Sequence, residues 1–200
     1  MSEQQLDPTK RTWLIATTCA GVVGGAVVAV PFVSTFAPSE RARAAGAAVE
    51  ADISALKPGE RMTVEWRGKP VWIVRRTPEQ LASLKVTEDL LADPRSERKQ
   101  AEVTPMVDTR NQWRSLKPEF LVVVGICSHL GCSPSEKFTT GAQPSLPADW
   151  QGGFLCPCHG STFDMAGRVF KNKPAPDNLE VPPYTFLTDS RLLIGEAKTA

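Results

Sequence analysis

Two stretches of sequence decide the fold: residues 127–132 read Cys-Ser-His-Leu-Gly-Cys, and residues 156–161 read Cys-Pro-Cys-His-Gly-Ser. Together they hold both histidines and four of the five cysteines in the 200-residue chain. Thiolates and imidazoles are side chains that bind zinc, copper and iron. One cysteine and one histidine from each stretch would supply four ligands, and the two remaining cysteines, one per stretch, could close a disulfide. The pattern therefore predicts a metal centre formed by two loops.

These ligand types alone do not select the metal. Zinc accepts two cysteines and two histidines in a tetrahedral site, which would make the protein a zinc-stabilised, membrane-tethered module. Zinc does not account for the second pair of cysteines, however, and the Cys-x-Cys-His spacing at 156–159 is unlike that of zinc fingers. Zinc therefore stays as the alternative.

At these residues the sequence resembles the Rieske iron–sulfur family in its respiratory, disulfide-containing form, closely so over residues 120–195. The resemblance implies a mainly β fold: an antiparallel β head at 51–200 with a small cluster-binding subdomain at about 122–168. It also implies one 2Fe-2S cluster, with cysteines on one iron and histidines on the other. By resemblance, the cysteine ligands are Cys127 and Cys156, the histidine ligands are His129 and His159, and Cys132 pairs with Cys158.

The same resemblance assigns roles to residues around the cluster. Ser161 matches the family serine that donates to a cluster sulfur, which favours the reduced state. Many relatives carry a tyrosine donor where this chain has Phe163, so we expect a lower reduction potential here than in those relatives. Leu130 and the turn Pro174-Ala175-Pro176 match elements that cover the cluster and shape the docking surface.

The resemblance implies an iron–sulfur subunit of a quinol–cytochrome c reductase, an enzyme complex of the respiratory chain. His159 or His129, with His159 favoured, would contact quinol bound in a cytochrome b subunit and take up an electron with a linked proton. The electron would pass to a c-type cytochrome subunit within a homodimeric complex. The alternative is a Rieske carrier in another periplasmic oxidoreductase. Oxygenase ferredoxins lack the second cysteine pair, so Cys132 and Cys158 argue against them.

The N-terminal segment predicts a membrane anchor. No charged residue occurs from Thr12 to Ser39, and residues 12–37 are long and apolar enough to cross a bilayer as one helix. Residues 1–11 form the predicted cytoplasmic tail and resemble a twin-arginine export signal, with Lys10 in place of the first arginine. Cys19 receives no role. A disulfide requires an oxidising compartment, so we expect a single-pass protein of the bacterial inner membrane with its head in the periplasm.

The remaining sequence predicts a tether and a mainly β head. Residues 38–50 are alanine-rich and form the predicted hinge or tether. Residues 60–76 alternate around an Arg-Gly-Lys-Pro turn, which predicts a β-hairpin, and Thr77-Pro-Glu-Gln predicts a capped helix through Leu84. Further strands are predicted at 120–126, 168–170 and 191–196, and 93–118 is loop-like. The formal charge of +1, without a basic cluster, gives no support for nucleic-acid binding.

Overall fold

The computed structural model describes residues 8–40, 46–98 and 111–197. The chain divides into an N-terminal unit up to residue 44 and a head from residue 45. Each unit is described by itself.

The N-terminal unit is built on one helix, α1 (Pro8–Ser34), which begins four residues before the predicted span and ends three residues before its end. By length and composition it qualifies as a membrane-spanning helix, and none of its side chains is buried by the protein. The Thr17 hydroxyl donates to the carbonyl of Trp13 at 2.9 Å, and that of Thr18 to the carbonyl of Leu14 at 2.8 Å. These hydroxyls are therefore satisfied within the helix, as an apolar environment requires.

The head contains three antiparallel sheets of three strands each among its described residues. The first sheet has the order β1 (Val49–Asp52), β9 (Arg191–Ile194), β8 (Tyr184–Phe186). The second has the order β2 (Arg61–Trp66), β3 (Lys69–Arg75), β4 (Phe120–Val124). The third has the order β5 (Ser135–Lys137), β6 (Gly153–Leu155), β7 (Thr162–Phe163). The predicted mainly β head is confirmed.

The predicted hairpin is formed by β2 and β3. Their pairing closes at Trp66 opposite Lys69, and the two turn residues Arg67 and Gly68 both have positive φ (51° and 70°). Two consecutive positive φ values are typical of the tight hairpin turn whose twist matches that of the flanking strands. β3 then pairs with β4, which is buried along its whole length, as its uninterrupted apolar run predicts.

The predicted capped helix is α2 (Pro78–Val86), which continues two residues beyond the expected end. The Thr77 hydroxyl accepts from the backbone N–H of Gln80, and the Gln80 side chain accepts from the backbone N–H of Thr77. This reciprocal capping box satisfies two of the N–H groups left unpaired at a helix start. A short 3₁₀ helix (Glu88–Leu90) follows.

Three predicted boundaries differ from the structure. The tether was expected to end at residue 50, but β1 begins at Val49, which pairs with Ile194 of β9. The predicted strand at 120–126 ends at Val124, and residues 168–170 form only isolated bridges, Val169 to Phe163 and Phe170 to Leu91. Val49 and Phe170 have partners in distant parts of the chain, whereas Val169 bridges to a residue six positions before it. Of the predicted loop at 93–118, residues 99–110 lie outside the described residues.

An aromatic contact positions the third sheet on the second. The Trp72 ring of β3 stacks on Phe154 of β6, with ring centroids 5.3 Å apart and planes inclined by 20°. Gly125, directly after β4, leaves room for this contact, because a Cβ atom there would lie 2.2 Å from the Trp72 ring. The contact holds β6 against the second sheet. Because Cys156 follows β6 directly, it also positions the start of the second cysteine-containing stretch.

Buried arginines tie the loops of the head together. Arg114, which is 1% exposed, donates to the carbonyls of Ala166, Gly167 and Leu179. Arg168, also 1% exposed, forms a 2.7 Å ion pair with Asp164. Buried charges are retained in proteins where they are paired or hydrogen-bonded. These contacts fix segments without regular secondary structure, around residues 114, 166–168 and 179.

Candidate metal centre

The two cysteine-containing loops have the same backbone hydrogen bonds. In loop 1, residues 127–132, the Cys127 N–H donates to the carbonyl of Cys132 at 2.8 Å, and the Gly131 N–H donates to that of Cys127 at 3.1 Å. In loop 2, residues 156–161, the Cys156 N–H donates to the carbonyl of Ser161 at 2.7 Å, and the Gly160 N–H donates to that of Cys156 at 3.0 Å. In both loops the fifth residue thus donates to the first. That fifth residue is a glycine in both loops, with φ of +83° and +73°, which other L-residues rarely adopt.

The disulfide expected from the resemblance is present. Cys132 and Cys158 are joined with an S–S distance of 2.03 Å and a Cα–Cα distance of 6.6 Å. Cys132 is the last residue of loop 1 and Cys158 the third of loop 2, so the bond connects the two loops directly. It limits how far the loops separate and so holds the remaining four cysteine and histidine side chains in one place.

Cys127 and Cys156 are the free thiols of the site, and both are 2% exposed. Burial raises the pKa of the Cys127 thiol, and its contact with the Cys156 thiol raises that pKa further. Hydrogen bonds from the backbone N–H of His129 and from the Ser161 hydroxyl lower it. The surroundings of Cys127 therefore favour its neutral thiol over the thiolate. A bound cation reverses that preference, because a coordinating thiol loses its proton to the metal.

The two histidines meet edge to face at the rim of the site. Their ring centroids are 4.8 Å apart and their planes are inclined by 87°. His159 is exposed and His129 is half-buried. The Nδ1 atom of His129 is buried and has no hydrogen-bond partner in the described part of the chain. A buried, unpaired nitrogen of this kind is costly, and a metal bond would satisfy it.

The donor set thus fits a centre held by two buried thiols and two imidazoles. Cys132, Cys156 and Cys158 also place their sulfur atoms within 4.8 Å of one another. This trio is not a usable ligand set, because Cys132 and Cys158 are bonded to each other and neither offers a thiolate. Of the four ligands expected from the resemblance, Cys127 contacts Cys156 and His129 contacts His159, and neither of these cysteines is in a disulfide.

A third loop, residues 174–177, is tied to both cysteine loops. The Ala175 N–H donates to the Ser161 hydroxyl oxygen at 3.0 Å. The Ser128 hydroxyl donates to the Asp177 carbonyl at 2.6 Å. The turn at 174–176 was expected beside the cluster, but nothing in the sequence marked Ser128 and Asp177 as its anchors. The two residues are 49 positions apart, so no local sequence pattern reveals the hydrogen bond between them.

The other predicted site residues fall into two groups. Ser161 and Phe163 are fully buried at the inner side of loop 2, with Phe163 in β7 opposite Phe154. Leu130 is 72% exposed at the end of loop 1. The structure therefore separates a buried side, where Ser161 contacts the Cys127 thiol, from an outer side, where His159 and Leu130 are exposed.

Comparisons with known proteins identify the families that the chain matches. Residues 47–184 match the Rieske [2Fe-2S] domain family, and residues 1–39 match the family described as the ubiquitinol-cytochrome C reductase Fe-S subunit TAT signal. The chain is similar to the ubiquinol-cytochrome c reductase iron-sulfur subunit of Allochromatium vinosum, with 52% identity over 98% of this chain and 93% of that protein. It is 39% identical to the subunit of the same description from Bradyrhizobium diazoefficiens, over 94% of this chain and 95% of that one.

Solved structures give a more distant similarity. A chain of a hyperthermophilic respiratory complex III aligns over 89% of this chain and 97% of its own length. Its sequence identity is 26% and its TM-score is 0.45.

Proposed function

The chain belongs to the family of Rieske [2Fe-2S] iron-sulfur subunits of ubiquinol-cytochrome c reductase, and we propose that Cys127, Cys156, His129 and His159 hold its cluster. It is a membrane-anchored subunit of a cytochrome bc complex, and its cofactor is one 2Fe-2S cluster. The family match favours that cluster over zinc. When bound, the cluster supplies a one-electron acceptor whose potential is high because two neutral imidazoles replace two thiolates.

One observation carries the ligand assignment: two buried free thiols lie in the same pair of loops as two imidazoles 4.8 Å apart. We assign the buried Cys127 and Cys156 to one iron and the two histidines to the other. The disulfide between the loops keeps these four side chains together. The buried Nδ1 atom of His129, without a protein partner in the described chain, is explained as a ligand atom.

His159 is the proposed contact for quinol. It is exposed whereas His129 is half-buried, and the exposed Leu130 provides an apolar neighbour on the same outer side. The outer nitrogen of a histidine ligand accepts a proton more readily when the site carries an additional electron, so electron and proton uptake are linked. The proposed partners are quinol bound in a cytochrome b subunit, then a c-type cytochrome subunit, in a homodimeric complex.

The proposed location is the bacterial inner membrane. Helix α1 would cross it once, with residues 1–11 in the cytoplasm and the head in the periplasm. The match of residues 1–39 to a twin-arginine signal family supports export, and the disulfide is typical of a protein that matures in an oxidising compartment.

Electron paramagnetic resonance tests the ligand assignment. The full chain, expressed with its export signal and reduced with ascorbate in membranes, should give a rhombic signal of low average g. Cys127→Ser, Cys156→Ser, His129→Ala and His159→Ala should each abolish that signal. Cys19→Ser is the matched control, because Cys19 lies on α1 and is free. A variant of any of the four residues that keeps an unchanged signal would remove that residue from the ligand set.

A further inference from the structure

A cavity of about 240 Å³ opens beside the proposed ligand Cys127. Its lining includes two charged side chains of opposite sign, Lys69 and Glu180, and a second carboxylate, Asp177. The remaining lining residues are Ile126, Cys127, Ser128 and Asn178. Charged residues therefore share the lining of this space with a proposed ligand, although neither histidine contributes to the lining.

The backbone fixes both charged residues at the end of β4. The Gly125 N–H donates to the carbonyl of Pro70, the residue after Lys69, at 2.7 Å. The Val124 N–H donates to the carbonyl of Glu180 at 2.8 Å. Since Cys127 follows two residues after Gly125, these bonds set the distance from both charged residues to loop 1.

The two charges form an incomplete pair. Lys69 Nζ lies 3.4 Å from Glu180 Oε2, and the two side chains are 45% and 24% exposed. The other carboxylate oxygen, Glu180 Oε1, is buried and has no hydrogen-bond partner among the described residues. A pair of this length and exposure contributes little to stability. The pair does, however, keep the partly buried Glu180 carboxylate in the lining that it shares with Cys127.

We propose that the two charges of the Lys69–Glu180 pair shift the reduction potential of the cluster in opposite directions, with Glu180 opposing electron uptake and Lys69 favouring it. This inference rests on the proposed ligand role of Cys127. The site becomes more negative by one charge on reduction, so a nearby carboxylate destabilises the reduced form and a nearby ammonium stabilises it. Both residues act on the cluster through space and touch no substrate, so they are tuning residues.

Potentiometric titration of the paramagnetic signal in the full-length chain tests the proposal. Glu180→Gln should raise the equilibrium constant for electron uptake by roughly threefold or more, the size expected for one partly screened charge across a small cavity. Lys69→Met should lower it by a similar factor. The double variant should return close to the parent, because the two charges are removed together. Potential shifts of opposite sign in the two single variants, which cancel in the double variant, indicate an electrostatic effect, because damage to the fold would not cancel in this way.

Conservative and remote variants complete the test. Lys69→Arg and Glu180→Asp retain the charges and should retain the potential. Glu50→Gln removes a carboxylate from the exposed Arg191–Glu50 pair between β1 and β9 and should leave the potential unchanged. Equal potentials in all variants, or shifts of one sign in both single variants, would overturn the inference. Loss of the signal in the parent chain would instead refute the proposed function.

Discussion

At the scale of single residues, hydrogen bonds to the sulfur atoms of the proposed ligands are one means of adjusting this site. The Ser161 hydroxyl contacts the Cys127 thiol and accepts from the Ala175 N–H, so its orientation is fixed. Two residues later, Phe163 is fully buried and carries no donor. Donors to cluster or ligand sulfur stabilise the reduced form. The chain therefore retains one of the two donors expected from its family.

Phe163→Tyr should raise the reduction potential, because the added hydroxyl can donate to a ligand sulfur. Redox titration of the full chain, followed by its paramagnetic signal, measures this change. The matched control is Phe163→Leu, which alters the packing without adding a donor and should produce no rise. If the tyrosine variant shows no rise, or if its hydroxyl only destabilises the fold by the ~1–3 kcal/mol of an unpaired buried donor, the donor hypothesis is wrong.

At the scale of secondary-structure elements, the connections between strands depend on buried polar contacts. Asp164 follows β7 directly, and its two carboxylate oxygens accept from the N–H groups of Ala166 and Arg168 and from the Arg168 guanidinium. Tyr184 of β8 accepts from the Leu116 N–H at 2.8 Å. The Asp164 bonds hold the turn that follows β7, and the Tyr184 bond joins β8 to the irregular segment before β4.

Arg168→Met should destabilise the head by about 3–5 kcal/mol, because it leaves the Asp164 carboxylate buried without its ion-pair partner. Denaturant unfolding of the full chain in detergent, followed by tryptophan fluorescence, measures the loss. Arg191→Met breaks the exposed pair with Glu50 and should cost less than about 1 kcal/mol. Equal losses in the two variants would show that burial of the Asp164–Arg168 pair has no energetic consequence.

Tyr184 provides a test in alkaline solution. Burial raises the pKa of its hydroxyl from the usual 10 to about 12, more than the Leu116 N–H and the nearby Arg76 lower it. The folded head thus favours the neutral phenol, and its stability should fall as pH rises from 10 to 12. The loss should be about 1.4 kcal/mol at pH 11.

Ultraviolet absorbance of the phenolate measures this ionisation directly, since Tyr184 is the only tyrosine of the chain. The folded chain should titrate near pH 12 and the denatured chain near pH 10. Tyr184→Phe should show no such absorbance change, and its stability should lack the decline of the parent between pH 10 and 11. A folded chain that titrates near 10 would contradict the burial argument.

At the scale of the whole molecule, the head and the helix α1 are separate units joined by the proposed tether. An electron carrier needs to approach each of its two proposed partner subunits, so we propose that the head moves on this tether. Pairing of Val49 with Ile194 sets the limit of that tether, because residues 49–52 form β1 of the first sheet of the head.

Replacing residues 42–47 by proline should slow quinol–cytochrome c turnover of the assembled complex several-fold, because a polyproline segment is semi-rigid. The replacement stops before Val49 so that β1 keeps its pairing. The paramagnetic signal should be unchanged, which shows an intact cluster. A glycine–serine replacement of the same length should preserve turnover. Full activity of the proline variant would refute the role of head movement.

Local sequence patterns alone determined much of this protein. The two Cys/His stretches identified the metal centre, the alternation at 60–76 predicted the hairpin, and Thr77 with Gln80 predicted the capped helix. The uncharged N-terminal stretch predicted α1. Each of these features depends on residues a few positions apart, where periodicity, capping and ligand spacing are encoded directly.

Only the tertiary structure decided the features that join distant segments. Val49 becomes a strand residue because Ile194 pairs with it. Arg168 and Asp164 form a buried pair, and Arg168 donates to the carbonyl of Leu84, 84 positions away. Lys69 and Glu180 are ordinary surface charges by sequence, yet the end of β4 brings them to the cavity beside Cys127. Strand pairing and burial are set by the packing of the whole head, so no short stretch of sequence contains the information that specifies them.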